Sequence, residues 1–398
     1  MAQPAYSVAR SVAPQVAEHL RLHHANAPDV DLGAVDLLPG AEVIEALVDA
    51  AFWASVRREE GYVPKISLAF VPPLDEVTPL VFERPIPLDP TALTRLAAAV
   101  ERPGIHLGVW PAFERPGDGQ VADPAWLRDN VFADLQVWGT THFIPPFCFV
   151  VEVIGPGLLV LKHRPRQASR KFINVAVLEG DRIKIVDETA SRIADCPSLL
   201  TSMIGFDTQI TDDGSVGTLV QLALSMRKHG RGGILLVVPA DGDGWADSIV
   251  QPVSYSVRPP YTELADLMSE GRGDTPSHEW NEAVGRAVDL VAGFTAVDGA
   301  TIVTNRFEVL AVGAKIGRRH GAESVGDIIV SEPVEDSVTE WMHASKLGGT
   351  RHLSAAQFVH DQRDALALVA SQDGRFTIFA WSSCDDAVHA HRVETLLL

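Results

Sequence analysis

Residues 226–238, Met226-Arg227-Lys228-His229-Gly230-Arg231-Gly232-Gly233-Ile234-Leu235-Leu236-Val237-Val238, decide the class of fold. Upstream, Val216, Leu219, Val220, Ala223 and Met226 fall on one helical face, and that helix ends at His229-Gly230. After two further glycines comes an unbroken apolar run, which reads as a strand buried on both faces. Working outward, 279–292 is a second helix with Val284, Ala287, Val288 and Val291 turned inward. Two strands at 300–303 and 309–312 are joined by a turn at Asn305-Arg306, and 366–370 and 376–379 form a hairpin across Gln372-Asp373-Gly374. The expected class is α/β (α+β), with a mixed β-sheet flanked by helices over 213–398.

Three short constellations sit at the junctions of these elements. Asp298-Gly299-Ala300 opens the strand at 300. A carboxylate there can hold a divalent metal, with Gly allowing close backbone approach and Ala leaving room; a simple turn explains the same residues. Gly348-Gly349-Thr350-Arg351-His352, followed by Leu353-Ser354-Ala355-Ala356, puts exposed amides, a hydroxyl, a guanidinium and an imidazole at a helix start. That suits phosphate, and it equally suits a glycine loop with Thr350 as helix cap. Ser371-Gln372-Asp373-Gly374 is by itself a hairpin turn.

Taken together, in this order, the three constellations resemble the diadenylate cyclase domain family, over about 217–379. Asp298-Gly299-Ala300 and Gly349-Thr350-Arg351-His352 match that family's motifs, while Leu353 stands where the family has a second Arg. Ser371 matches, and Gln372-Asp373 replaces an acidic pair; the spacing from His352 to Asp364 is one residue longer. The resemblance implies condensation of two ATP molecules into cyclic di-AMP with release of pyrophosphate, by two domains that face each other in a homo-oligomer. It implies Asp298 as metal ligand and activator of the 3′-hydroxyl, with Gly299 and Ala300 beside it. Gly349, Thr350, Arg351 and Ser371 are then on phosphate, His352 is at metal or phosphate, and Mn²⁺ or Mg²⁺ is the cofactor. With Leu353 in place of Arg, a non-catalytic adenine-nucleotide sensor is the alternative, unless Arg318 and Arg319 compensate.

The first 212 residues read differently. Helices are expected at 14–23, with Ser11 as cap, at 41–60 ending on Gly61, and at 90–100; strands are expected at 66–70 and 105–110. This makes 1–125 a small α/β domain, with a Pro- and Gly-rich linker at 111–124. Over 126–212, apolar runs at 147–154 and 158–162 flank Gly155-Pro156-Gly157, and 172–178 and 182–186 flank Glu179-Gly180-Asp181, so this stretch is expected to be a β-rich unit. Phe52-Trp53-Ala54-Ser55-Val56-Arg57-Arg58-Glu59-Glu60-Gly61 resembles the sensor domain called DACNV, which precedes some diadenylate cyclase domains.

Composition narrows the partners. Lys+Arg number 33 against 52 Asp+Glu, a net charge of −19, with no long basic stretch. Nucleic acid, whose binding relies on clustered Lys and Arg, is not expected as a partner, nor is a membrane, since no apolar run reaches the ~18 residues of a span. Cys148, Cys196 and Cys384 are too few and too scattered for a disulfide framework, so a cytoplasmic location is expected. Gly230-Arg231-Gly232-Gly233 lacks the Lys of a P-loop, and His278-Glu279-Trp280-Asn281-Glu282 lacks the second His of a zinc protease. Cys384, Asp385, Asp386, His389 and His391 read as a solvated terminal segment.

Overall fold

Val8, Val12, Val16 and Leu20 recur every fourth residue and form the buried stripe of α1 (Ser7–Ala25). The computed structural model describes residues 4–25, 38–71, 80–84, 86–101, 104–109, 136–138, 144, 147–164, 172–186, 215–270, 278–335 and 337–398. The linker expected at 111–124, and Cys196, lie outside them. α1 begins seven residues before the expected start and keeps Pro14 inside. Ser11 is therefore not its cap: the hydroxyl donates to the carbonyl of Ser7, 3.3 Å away. Burial of Val8 and Val12 extends the helix past a residue that removes one of its hydrogen bonds.

The chain divides into two compact units, Met1–Val186 with Leu398, and Asp187–Leu397. In the first, α2 (Ala41–Ser55), β1 (Ser67–Phe70), β2 (Leu80–Val81), α3 (Pro90–Val100), β3 (His106–Val109), β4 (Gln136–Trp138), β5 (Phe149–Gly155), β6 (Leu158–His163), β7 (Ile173–Glu179) and β8 (Arg182–Ile185) follow α1. Asp89 caps α3 by accepting from the amides of Thr91 and Ala92 at 2.7 and 3.2 Å. The strands form one sheet in the order β2-β4-β3-β1-β5-β6-β7-β8. The boundary drawn at 125/126 from composition thus runs through a single sheet, because β1 pairs with β3 on one side and with β5 on the other. Leu68, Phe70, Leu107, Phe149, Val151, Leu159 and Leu161 pack under the apolar stripes of the three helices. Ala69, Val71, Cys148 and Val150, which alternate with them, form a smaller cluster on the other face.

The stretch 52–61 works as a clasp in this unit. The ring of Phe52 lies flat against Tyr6, centroids 3.6 Å apart, and the Tyr6 hydroxyl donates to the carbonyl of Gly180. α2 ends at Ser55, not at 60, because Ser55 is drawn into a tertiary contact: its buried oxygen accepts from the amide of Gly157 at 3.0 Å, in the β5–β6 turn. Arg57 reaches the hydroxyl of Thr91 on α3. Ser55→Ala leaves a buried amide unpaired and is expected to lower stability by about 1–2 kcal/mol, read from the urea midpoint of the full chain.

The second unit carries α4 (Ser215–Lys228), β9 (Gly233–Val238), β10 (Tyr255–Tyr261), α5 (Glu263–Glu270), α6 (His278–Phe294), β11 (Ala300–Thr304), β12 (Val309–Ala314), β13 (Asp327–Ser331), β14 (Glu340–His343), α7 (Ala344–Leu347), α8 (Thr350–Asp361), β15 (Leu366–Ala370), β16 (Phe376–Ser382) and β17 (Ala387–Arg392). Nine strands form one mixed sheet, β10-β12-β11-β9-β15-β16-β17-β13-β14, as the sequence predicts in kind. β9 is parallel to β11 and antiparallel to β15. Ile234, Leu236, Ala300 and Ile302 pack under Ala355, Ala356, Phe358 and Val359 of α8. Leu235 and Val237 alternate to the other face, the side where α4 meets β15 and α6 meets β12.

Of the segment expected to be solvated, Cys384, Asp385 and Asp386 are exposed, but His389 and His391 are not. Residues 387–392 are β17, an interior strand paired with β16 and β13. His391 is buried there, its Nδ1 2.7 Å from the hydroxyl of Ser331, and His389 lies 2.8 Å from a carboxylate oxygen of Asp385. Burial, with a smaller push from His389, lowers the pKa of His391 to about 3 from an ordinary value of 6.5. The folded state therefore favours the neutral ring: its contribution is fully present above pH 6.5 and is lost as pH falls from there towards 3. His391→Gln is expected to flatten the fall in urea midpoint across that window; an unchanged slope would remove His391 as its source.

Candidate functional site

Strand register brings the first and third constellations together. Ala300 pairs with Ile234, and Gly233 pairs with Ala370, so Asp298-Gly299, Gly232 and Ser371 stand at the same ends of three adjacent strands, β11, β9 and β15. The second constellation enters from above the sheet. Gly232 has φ +70, and a Cβ there would stand 2.9 Å from Nη1 of Arg351 and 3.2 Å from the carbonyl of Ala370. Arg351 thus lies against the β9 start, and its charge reaches Asp298.

Asp298 is held out from this edge by its backbone neighbour. Gly299 has φ +113, and a Cβ on it would fall 2.5 Å from the carbonyl carbon of Gly313. Only a glycine allows β11 and β12 to approach this closely at the bend. The Asp298 side chain is 89% exposed, and Lys315 at the end of β12 donates to its Oδ2 at 2.6 Å. That hydrogen bond and charge, with Arg351 further off, hold the Asp298 carboxyl below its usual range, so it is ionised at neutral pH. Ala300 is buried in the core between sheet and α8, so it serves packing and not an open surface.

Thr350 is the first residue of α8, not its cap; Gly349 holds the capping position and no side chain closes the helix start. The N-terminal end of α8 and its partial positive charge are left open. His352 is buried, packed over Gly348 so closely that a Cβ on that glycine would meet Nδ1 at 2.7 Å. Burial lowers its pKa, as do Arg392, Arg375 and Arg351, against an opposing pull from Asp373. The ring is therefore neutral, and three guanidinium groups act around it. Such a setting favours an anion over a cation, so of the two candidate metal ligands Asp298 suits Mn²⁺ or Mg²⁺, which take one or two carboxylates with phosphates and water, and His352 suits it poorly.

Ser371 donates its hydroxyl to Asp373, which helps lower the pKa of that carboxylate against a desolvation that would raise it. The amide of Ser371 bonds to the carbonyl of Arg375 at 2.9 Å, which closes the turn, and Gln372 reaches the carbonyl of Arg231 at 3.3 Å. Arg318 and Arg319 do not fill the place of the missing Arg as a pair: Arg319 bonds through its amide to Asp361 and faces Asp247 at 3.8 Å. Leu353 is 36% exposed on α8. The cations near the site that sequence reasoning missed are Lys315, Arg375 and Arg392. Each lies at a strand end, and no local pattern marks it; only strand order brings Arg392 beside α8.

Residues 34–118 match the family described as "Probable sensor domain DACNV", a domain found in diadenylate cyclases. The match spans α2, β1, β2, α3 and β3 of the first unit, and does not include 298–371. No curated protein matches the chain. Among the described residues, no helix is long and apolar enough to cross a membrane.

Gly299→Ala is expected to destabilise the second unit by about 2–4 kcal/mol, from a forbidden φ plus a backbone collision. Asp298→Asn, on an exposed side chain whose ion pair with Lys315 is solvated, should shift the melting curve little. Equal melting of the two variants in calorimetry would refute the backbone constraint.

Proposed function

We propose that the second unit is a nucleotidyltransferase that condenses two ATP molecules into cyclic di-AMP, or a related cyclic dinucleotide, with release of pyrophosphate. One observation carries this reading: an ionised Asp298, the Arg351 guanidinium and the 371–375 turn converge on the same ends of β11, β9 and β15. In a chain of net charge −19, Arg351, Arg375 and Arg392 around the open start of α8 make a local positive site, as a triphosphate requires. The match of 34–118 to a domain found in diadenylate cyclases supports it from the other unit.

The roles follow from the chemistry of each group. Arg351 and the amides of Gly349, Thr350 and Arg351 bind and orient phosphate oxygens. Ser371 fixes the turn through Asp373, so that the strand end presents a rigid wall. Asp298 would hold the cation and, being ionised, can take a hydrogen bond from the 3′-hydroxyl that attacks the second nucleotide. A bound Mn²⁺ or Mg²⁺ would supply charge neutralisation for that hydroxyl and the α-phosphate. Because each nucleotide attacks the other, two copies of the unit must meet, and the active form is a homo-oligomer. Leu353, an apolar group where a further guanidinium would neutralise phosphate, favours a second reading, an adenine-nucleotide sensor without turnover.

Purified full chain, ATP and Mn²⁺ distinguish the two. For the cyclase, dinucleotide accumulates, and Asp298→Asn reduces its rate by at least ~10²-fold while ATP affinity without metal changes little. For the sensor, ATP binds without product, and Arg351→Ala is the damaging change. Turnover that survives Asp298→Asn would remove this residue from the chemistry.

A further inference from the structure

The inner stripe of α1 changes character at its end. Val12, Val16 and Leu20 are followed by His24, buried at the next turn, and His19 and His23 lie one step round the helix, half-buried. β6 does the same. Leu159 and Leu161 face the helices, and two residues on, on the same face, comes His163, only 2% exposed. An apolar residue would fill that core position at lower desolvation cost. Instead, three imidazoles from a helix and a strand meet: the rings of His19 and His23 stack with centroids 4.4 Å apart, and His163 stands 5.2 Å from His23 and 6.1 Å from His19.

We propose that His19, His23 and His163 form a binding site for a transition-metal dication of the Zn²⁺ class. Their ligand atoms all lie within 4.8 Å of one another, the sole such grouping among the described residues. A tetrahedral zinc with bonds of ~2.0–2.1 Å brings its nitrogens to roughly 3.3 Å, a closure of up to about 1.5 Å from the 4.8 Å limit that rotation of the half-buried His19 and His23 can supply. Their spacing of four places both rings on one helix face, and the third ligand comes from a rigid strand. Nδ1 of His163 lies 3.4 Å from the carbonyl of Arg164, the kind of partner that orients a metal-bound imidazole and leaves Nε2 for the ion. Three imidazoles with no carboxylate select zinc, nickel or copper over magnesium and calcium. The site therefore differs in kind from the carboxylate at Asp298. With three protein ligands among the described residues, a fourth position is open to water or a small anion.

His19 and His23 lie outside the matched stretch 34–118, as does His163, but all three belong to the same compact unit. Ring stacking alone is the competing explanation of the cluster, and the two differ in what zinc does.

The test uses the full chain, stripped with a chelator and titrated with ZnCl₂ by calorimetry, and with CoCl₂ by visible absorption. The expected result is one Zn²⁺ per chain at micromolar concentration or below, an intense tetrahedral Co²⁺ spectrum, and no response to MgCl₂. His23→Ala and His19→Ala/His23→Ala, on the half-exposed side of a helix where alanine is favourable, should weaken zinc by at least about 10²-fold with far-ultraviolet circular dichroism unchanged. Absence of stoichiometric zinc uptake, or uptake that the double variant keeps, would overturn the site. If the double variant unfolds, the Co²⁺ spectrum of His163→Gln in the folded chain decides: an undiminished tetrahedral band would overturn it as well.

Discussion

Backbone meets backbone where Gly299 crosses Gly313, and the rest of the second unit's chemistry depends on that contact. It fixes the height at which β11 begins beside β9, and so where Asp298 leaves the sheet. Beside it, Gly232 stands at the start of β9 next to the carbonyl of Ala370, and its missing Cβ leaves the room that the Arg351 guanidinium occupies. A side chain at Gly299 would move a strand end, whereas one at Gly232 would first displace the Arg351 guanidinium. The site is thus a property of sheet register, with the helix start of α8 laid across it.

Charge in this protein is distributed against its average. The chain as a whole is strongly acidic, yet His352 is surrounded by Arg351, Arg375 and Arg392, and Asp298 is held by Lys315. The negative surroundings limit non-specific attraction of polyanions, while a few guanidinium groups around an exposed helix start favour a compact one. The same logic separates the two metal chemistries. A lone exposed carboxylate suits a hard cation shared with phosphate, whereas His19, His23 and His163 offer nitrogen alone.

In the first unit, the stretch 52–61 has a structural task. Phe52 stacks on Tyr6, Ser55 closes the β5–β6 turn, and Arg57 joins α3. Residues that fasten three helices to one sheet are constrained whatever the unit binds, which is why such a motif identifies the domain without naming a ligand. The histidine cluster could not be found from the same reading, since His19 and His23 look like the polar end of a helix, and His163 follows Lys162 at the polar end of a strand 140 positions later.

The sequence by itself determined the elements whose side chains alternate cleanly between water and core. The stripes of α4 and α6, the apolar run of β9, the β11–β12 and β15–β16 hairpins and the three constellations were all legible, because each is encoded within about fifteen neighbouring residues. What it could not determine were β10, β13, β14 and β17. β10 holds two prolines and exposes most of its residues, and β14 is four residues long and mostly exposed. β17, Ala-Val-His-Ala-His-Arg, looks polar, because His391 is buried against a partner 60 residues away, Ser331. Only the tertiary structure decided that Arg375 and Arg392 stand around His352, that the two N-terminal stretches share one sheet, and that three distant histidines meet. Those outcomes depend on strand order and register, which are set by long-range pairing and the burial it brings, and no local period records them.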